Sequence, residues 1–504
     1  MSLLGIDIGT SGVRAAAFAD DGRLLAVRAE RTYLERSADG RVIIDMTALA
    51  AAAERLLAAV ATLAASSGDA VTAIGLSSAG EAIVPVDRSG LPTDGAVVGL
   101  DSRGGPAAAE INKELGAARV HAVTGQPLHP MYSIYKIAAG DGRWRPPQAA
   151  GYRGLADFLL GRWGMPPVMN WASAARTGAF DIEAGTWSTE IITVAAQSAP
   201  WAELLARSAT IPCGTPVGSL GDATATRLGV PAGTTVVAGA HDQASSYLGS
   251  GGRAGKFSTF SFGSSDCMAV GTDTRPSGIT GSGLATYPIT SSHWLTIAGT
   301  AAGGWALEWY AGLTGAATED EARELLDHPA EQPPALLVLP YLAGANTLDN
   351  DSHARGSIAG LTLDTTKPQL TRAFLEAAGY ELRYLVDAFE HTGIPVGSVR
   401  VVGGGVANRS ALQIRASAAD LRLEPVTAPT SARGAAFLAG VGTGIFRLGH
   451  LPEPEVAPPC APEPAHRAWY AGQRRAYRQL YEATRPINEW LFRAGSANAA
   501  GHGR

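Results

Sequence analysis

The chain opens MSLLGIDIGTSG, an apolar run that ends on a carboxylate, Asp7, and passes into a turn of small residues, Gly9 to Gly12. An apolar run of that length punctuated by glycine reads as a buried strand leading into a tight turn. VRAAAFA and RLLAVRAE, separated by DDG, continue it as two further strands around a hairpin. The opening recurs later: TTVVAGAHDQ (234–243) carries Asp242 at the end of its apolar run, and KFSTFSFGSSDCMAV is again strand, small-residue turn and strand. A chain that twice starts this way and then alternates strands with helices builds two related α/β domains.

The intervening pattern agrees. Asp45 or Thr47 caps a helix whose larger apolar residues Leu49, Leu56, Val60 and Leu63 recur at helical spacing. AVTAIGLS (70–77) is a buried strand and AIVPVD (82–87) a further one. In the second half, helical stretches fall near 300–313 and 368–390, a strand at VRVVGG (399–404), and helices after Asn408 and Ala432. LPEPEVAPPCAPEP (451–464) is a Pro-rich connector, and the segment beyond it carries Trp469, Tyr470, Tyr477, Leu480 and Tyr481 at helical spacing, a helix that packs back on the body. The expected boundaries are 1–244, 245–450 and 451–504.

Composition narrows the partners. The 504 residues carry a formal net charge of -6, so no basic face is offered to nucleic acid or to an anionic membrane. The expected partner is a small molecule, with room for a homodimer. Cys213, Cys267 and Cys460 are odd in number and scattered, which argues against a disulfide framework and a zinc site. No basic segment, long apolar stretch or small-residue cleavage site follows Met1, and the expectation is a cytoplasmic protein.

Two familiar nucleotide devices fail. Gly255-Lys256 ends like a Walker A loop, but Phe257 stands where the magnesium-binding hydroxyl belongs and Ser250 where the first glycine belongs. The glycines of VVGGGVAN reach Asn408 where a dinucleotide fingerprint needs Gly or Ala. What remains are three glycine turns after apolar strands: DIGTSG (7–12), FGSSD (262–266) and GGGVAN (403–408). Backbone amides and hydroxyls of such turns donate to phosphate oxygens. Asp7 then has a task, since phosphate clusters call for a divalent cation that Asp7 holds directly or through water.

Taken in order, GIDIGTSGVRAAAFADDG, AGAHDQASSYLG, TFSFGSSDCMAV and VVGGGVANRSALQIRASAADLRLEPV, followed by ARGAAFLAG, resemble the successive signature blocks of the FGGY carbohydrate kinases. That family belongs to the actin, sugar kinase and heat-shock ATPase superfamily. The likeness runs from residue 3 to the Trp-Tyr helix near 481, and VDRSGLPTDGAVVGLDSR, TGQPLHPMYSIYK and WASAARTGAFD fit it. It implies two ribonuclease-H-like (actin-like ATPase) α/β domains facing across a cleft. The implied activity is ATP-dependent, Mg²⁺-assisted phosphorylation of a hydroxyl on a xylulose- or ribulose-like ketose, a tetritol or pentitol, or a gluconate-like sugar acid. By the same likeness Gly9, Thr10 and Ser11 approach the transferred phosphate and Arg14 is the basic residue of that turn. Gly263 and Ser264 form the second phosphate turn, and Gly404, Gly405 and Asn408 lie along the adenosine.

Phosphoryl transfer needs a hydroxyl aligned with the γ-phosphate and an acceptor for its proton. Asp242 is the candidate base: it follows VVAGAH, precedes the small-residue run ASSYLGSG and matches the family's catalytic Asp block. An ordinary Asp is ionised at pH 7, which suits that task; the alternative is a helix N-cap. His241 reads as a packed or capping histidine. Glu81, between two strands, matches the substrate-binding Glu of glycerol kinases, and Gln243 their Gln beside the base. Asp101 and Arg103 match an acidic and basic pair near the sugar, or form a structural salt bridge. Several positions depart from the relatives: Gly80 replaces the Arg that precedes the Glu in glycerol kinases, Met131 stands at their Tyr, and Leu100 replaces a Trp of xylulose kinases. The rival readings are a non-catalytic nucleotide or sugar sensor on the same scaffold and a chaperone-like or filament-like ATPase.

Overall fold

The computed structural model describes residues 1–36, 41–66, 68–139, 148–263, 265–300, 302–316, 318–345 and 347–501. The chain forms two compact units, each assembled from segments distant in sequence. The first is Met1–Ala254 with Gly271–Thr296 and Ala428–Pro454; the second is Gly255–Val270 with Ile297–Thr427 and Glu455–Arg504.

The first unit is built on a six-stranded sheet. Its strands are β1 (Ser2–Ile8), β2 (Gly12–Ala19), β3 (Leu24–Arg31), β4 (Val71–Ser78), β5 (Pro216–Ser219) and β6 (Thr235–His241), in the spatial order β5-β6-β4-β1-β2-β3. The opening β1-β2-β3 meander is antiparallel, as the hairpin signal DDG requires, while β4 and β6 run parallel to β1. β1 and β4 are buried along almost their whole length, which is why both read as continuous apolar runs and not as alternating ones.

Helix Met46–Ser66 covers this sheet, with Asp45 supplying the cap through Oδ1 to the amides of Thr47 (2.8 Å) and Ala48 (3.2 Å). It is long and apolar enough to cross a membrane, but Leu49, Leu57 and Val60 lie in the core of the unit. Burial of side chains this size contributes about 1.5–3 kcal/mol each. Leu63, at the same expected spacing, is 36% exposed at the end of the stripe.

Helix Thr430–Gly442 explains the run ARGAAFLAG. A Cβ at Gly5 would overlap the carbonyl oxygen of Ala432, and one at Gly75 that of Ala435, so this helix lies directly on the backbones of β1 and β4. Gly434 and Gly249 meet the carbonyls of Ser245 and Thr430 in the same way, pressing it against helix Asp242–Gly249. Glycine is required at these positions by close approach of backbone to backbone.

In the second unit β7 (Phe257–Phe262) pairs antiparallel with β8 (Asp266–Thr272) and parallel with β9 (Ser398–Val402), beside which runs β10 (Leu423–Pro425). Helix Lys367–His391 packs with the long helix Arg467–Gly501, whose Tyr470, Tyr477 and Tyr481 are buried. Their hydroxyls donate to Glu376 (2.8 Å), Glu381 (2.6 Å) and Asp351 (3.0 Å). Trp469, grouped with these residues by spacing, is 43% exposed.

Candidate active site

The parallel register of the first sheet gathers the candidate residues. Ile8 lies opposite Ser78 and Ser78 opposite His241, so β1, β4 and β6 all end at one edge. Asp7 with the Gly9–Gly12 turn, the Gly80-Glu81 loop and Asp242 therefore emerge side by side at the carboxyl ends of parallel strands, where open α/β sheets bind ligands.

The Gly9–Gly12 turn is closed by the Gly9 amide on the Gly12 carbonyl at 2.9 Å. Thr32, directly after β3, takes up its carbonyls: the Thr32 amide donates to Ser11 O (3.3 Å), and Oγ1 to Thr10 O (3.2 Å) and Gly9 O (3.4 Å). No motif singled out Thr32, yet it holds the turn. Asp7 accepts from Ser77 Oγ at 3.3 Å and lies opposite Arg14 in the β1-β2 register. Burial pushes its carboxyl up to about 7; the neighbouring charge of Asp242 adds to the rise and Arg14 opposes it.

Asp242 is the first residue of helix Asp242–Gly249, with His241 in the capping position and no side-chain cap bond. Its side chain is 29% exposed, whereas that of His241 is 3% exposed. His241 Nε2 lies 3.0 Å from Asp242 Oδ1, and His241 Nδ1 lies 3.0 Å from the Tyr287 hydroxyl. The helix is pinned by Ser246 Oγ to Thr430 Oγ1 at 2.9 Å and by Ser431 Oγ donating to the Asp242 carbonyl at 3.4 Å. Gln243, next along the helix, is half-buried.

Glu81 meets Arg176, the residue that ends the short helix Trp171–Ala175. Arg176 Nε donates to Glu81 Oε1 at 2.7 Å, Nη2 reaches the same oxygen, and Nη1 donates to Gln126 Oε1 at 2.6 Å. Burial alone would raise the Glu81 carboxyl, but Arg176, with help from His241 and Lys136, outweighs it and holds the group at about 2. Lys136, fully buried, donates from Nζ to the carbonyls of Glu81 (2.7 Å) and Val98 (2.9 Å). Met131 is followed by Tyr132, whose ring lies 5.0 Å below the Arg176 guanidinium.

Asp101 forms the salt-bridge alternative. Its oxygens accept from Arg103 Nε and Nη2 (both 2.7 Å), from the Arg103 amide (3.1 Å) and from the Val42 amide (2.9 Å). With both oxygens doubly occupied, this carboxylate holds Arg103 in place.

The other candidates belong to the second unit. β7 and β9 are parallel, Ser261 opposite Val402, so the turns at Gly263 and Gly403–Ala407 leave the sheet at the same edge. Gly403, with φ of +92°, and Gly405 both pack against Phe262, which brings Gly263, Gly404 and Gly405 together. Asn408 caps helix Arg409–Ala419 through Oδ1 to the Ala411 amide (2.7 Å) and donates from Nδ2 to Asp327 Oδ1 (2.6 Å). Ser264 lies outside the described residues.

Sheet-edge glycine turns in each unit, with carboxylates at the strand ends of the first, accord with a phosphotransferase that acts on an alcohol, the class to which similarity to known kinases assigns the chain. The chain belongs to the FGGY family of carbohydrate kinases: residues 2–249 match the family's N-terminal domain and residues 259–443 its C-terminal domain. Kinases of this family use ATP as co-substrate. The glycerol kinase of Rhodospirillum rubrum is 30% identical over 511 residues, which span 95% of this chain and 98% of that protein. Among solved structures, a xylulose kinase from Rhodospirillum rubrum superposes with a TM-score of 0.84 at 25% identity, covering 97% of this chain and all of the other. A gluconate kinase from Lactobacillus acidophilus gives 0.83 at 21% identity, covering 96% and 98%. The fold is thus the two-domain, actin-like ATPase fold of these kinases.

Proposed function

We propose that the chain phosphorylates a hydroxyl of a small neutral polyol or ketose, with Asp242 as general base. The observation that carries this reading is the pairing of Asp242, oriented by His241, with a Glu81 carboxylate already neutralised by Arg176. An ionised Glu81 is an acceptor only, matched to a substrate hydroxyl. A sugar acid would bring its charge beside Glu81, Asp242 and Asp7, while Arg176 is engaged by Glu81 and Gln126 and Lys136 by two carbonyls.

In the reaction the substrate oxygen attacks the γ-phosphorus and the bond to the bridging oxygen breaks. ADP leaves with that electron pair, and the hydroxyl proton passes to Asp242. The Thr10 and Ser11 amides and Arg14 are assigned to the transferred phosphate, whereas Gly263, Gly404, Gly405 and Asn408 are assigned to the rest of the nucleotide. Gln243 is assigned to the substrate beside Asp242.

Asp7 fits a magnesium ion. Among the described residues no group of three or more His, Cys, Asp or Glu side chains is placed to cage a metal. A single, partly buried carboxylate with a like charge nearby is the donor set that Mg²⁺ uses together with phosphates and water. When bound, the ion supplies charge neutralisation on the phosphates.

The test is ADP release coupled to a colour change across pentuloses, hexuloses, tetritols, pentitols, glycerol and aldonates, with Asp242→Asn as control. Neutral compounds should exceed the mutant's background by orders of magnitude and aldonates should not. An aldonate as the best substrate, or no turnover above the mutant, would overturn the proposal.

A further inference from the structure

We infer that Arg176 is a positioning residue that sets Glu81 for the substrate, and that the absence of a side chain at Gly80 makes its placement possible. This rests on the reading of Glu81 as a substrate ligand.

Both bonds from Arg176 end on one carboxylate oxygen, Oε1. Among the described residues no group donates to the other oxygen, Oε2, although the Glu81 side chain is 16% exposed. Oε2 points toward Gly99, where a Cβ would stand 3.9 Å away and would press on the Glu81 Cβ at 3.3 Å. Arg176 thus fixes the orientation and charge of the carboxylate while leaving one acceptor open. The guanidinium is itself fixed by Gln126 and by the Tyr132 ring, and the residue is 5% exposed.

Gly80 belongs to the same device. A Cβ at this position would overlap His241 Cδ2 and stand 2.7 and 2.9 Å from Arg176 Cγ and Cβ. Any side chain at residue 80 would displace either the histidine that orients Asp242 or the arginine that orients Glu81. The cation for Glu81 therefore comes from a helix end 95 residues along the chain instead of from its own loop.

The consequence is a division of labour. Arg176 acts on ground-state recognition of a hydroxyl through Glu81 and not on proton transfer, so its loss should raise KM far more than it lowers kcat. A lysine cannot form the same fork, so Arg176→Lys should restore only part of the loss.

The experiment measures kcat and KM for Arg176→Met, Arg176→Lys, Gly80→Ala, Glu81→Gln and the Glu81→Gln/Arg176→Met double variant. The acceptors are glycerol, erythritol, xylitol and D-xylulose, with D-gluconate as the anionic comparison. The expected result is a KM raised about 10- to 100-fold in Arg176→Met with kcat within about fivefold, a smaller rise in Arg176→Lys, and a rise in Gly80→Ala. In the Glu81→Gln background Arg176→Met should add less than twofold, because its partner is gone; this double variant, free of an unpaired buried carboxylate, and Gly80→Ala keep the test open should Arg176→Met fail to fold. An unchanged KM in Gly80→Ala, a loss confined to kcat, or full additivity with Glu81→Gln would overturn the inference. Wild-type protein inactive on every neutral acceptor would instead overturn the proposed function.

Discussion

His241 Nε2 sits 3.0 Å from Asp242 Oδ1, and the other ring nitrogen sits 3.0 Å from the Tyr287 hydroxyl. The chemistry of the two partners orders the protons. A carboxylate accepts, so Nε2 carries the hydrogen; Nδ1 then accepts from the tyrosine O–H. One carboxylate oxygen is held by the histidine; the other is the acceptor that the proposed reaction assigns to the substrate hydroxyl.

The first prediction concerns Asp242 itself. Asp242→Asn keeps the shape and the contact to His241 but removes the proton acceptor. General-base catalysis is worth roughly 10²- to 10⁴-fold, so kcat should fall within that range while KM for substrate and ATP changes only a few-fold. Steady-state kinetics on purified variants checks this, and a fall of less than tenfold would remove Asp242 from the role of base.

The second follows the chain one residue further out. Tyr287→Phe deletes the donor that fixes the His241 tautomer, and a single net hydrogen bond is worth about 0.5–1.5 kcal/mol. The expected outcome is a kcat lower by several-fold with unchanged thermal midpoint within a few degrees. His241→Ala should cost more, since it frees the Asp242 carboxylate altogether. If Tyr287→Phe equals wild type while His241→Ala is impaired, the histidine acts by packing and not by a fixed tautomer.

These relationships also show what a linear reading reaches. β1, β4, β6 and the turns after them were legible because apolar runs and small-residue turns are local signals, and Asp7, Glu81 and Asp242 stand at their ends. Thr32 and Tyr287 carry no such signal, and Arg176, although it stands in the block WASAARTGAFD, carries none that names its partner. They meet their partners across 22, 95 and 46 residues, a relation that neither periodicity nor a turn motif encodes. The strand expected at 82–87 shrinks to Val84–Val86 and pairs outside the main sheet, with Gly151–Arg153. Helical spacing grouped Trp469 with Tyr470, yet only the face bearing Tyr470, Tyr477 and Tyr481 meets the acidic residues beneath it.

The third prediction concerns the close packing that holds Asp242. Gly434→Ala should favour the helix by about 0.5–1 kcal/mol on propensity alone. The added methyl, however, overlaps the carbonyl of Ser245, which belongs to the helix that begins at Asp242. Overpacking of this kind costs about 1–3 kcal/mol, so the net effect is destabilising. A lower melting temperature, with kcat reduced more than substrate KM is raised, is expected by differential scanning fluorimetry and kinetics. A variant as stable as wild type would mean that the two helices separate without penalty.

The last prediction turns on Asp266 in the second unit. It is 1% exposed, and Nε and Nη1 of the buried Arg415 have no hydrogen-bond partner among the described residues, so no direct ion pair joins the two. Burial pushes the Asp266 carboxyl from 3.8 up to about 7, with the charge of Arg415 and the Gly263 amide opposing the rise. Between those two values the native state binds a proton that the unfolded chain releases, so the contribution of Asp266 to stability is complete below about pH 4 and is lost as pH rises through about 7. Asp266→Asn removes this titration and leaves the other groups in place. Whatever constant offset the lost attraction to Arg415 adds, the variant-minus-wild-type difference in melting temperature should become more positive from pH 5 to pH 8. The slope corresponds to a few kcal/mol at about 1.36 kcal/mol per pH unit. A difference that stays flat over that range would mean that Asp266 remains ionised throughout, with its charge compensated in the folded protein.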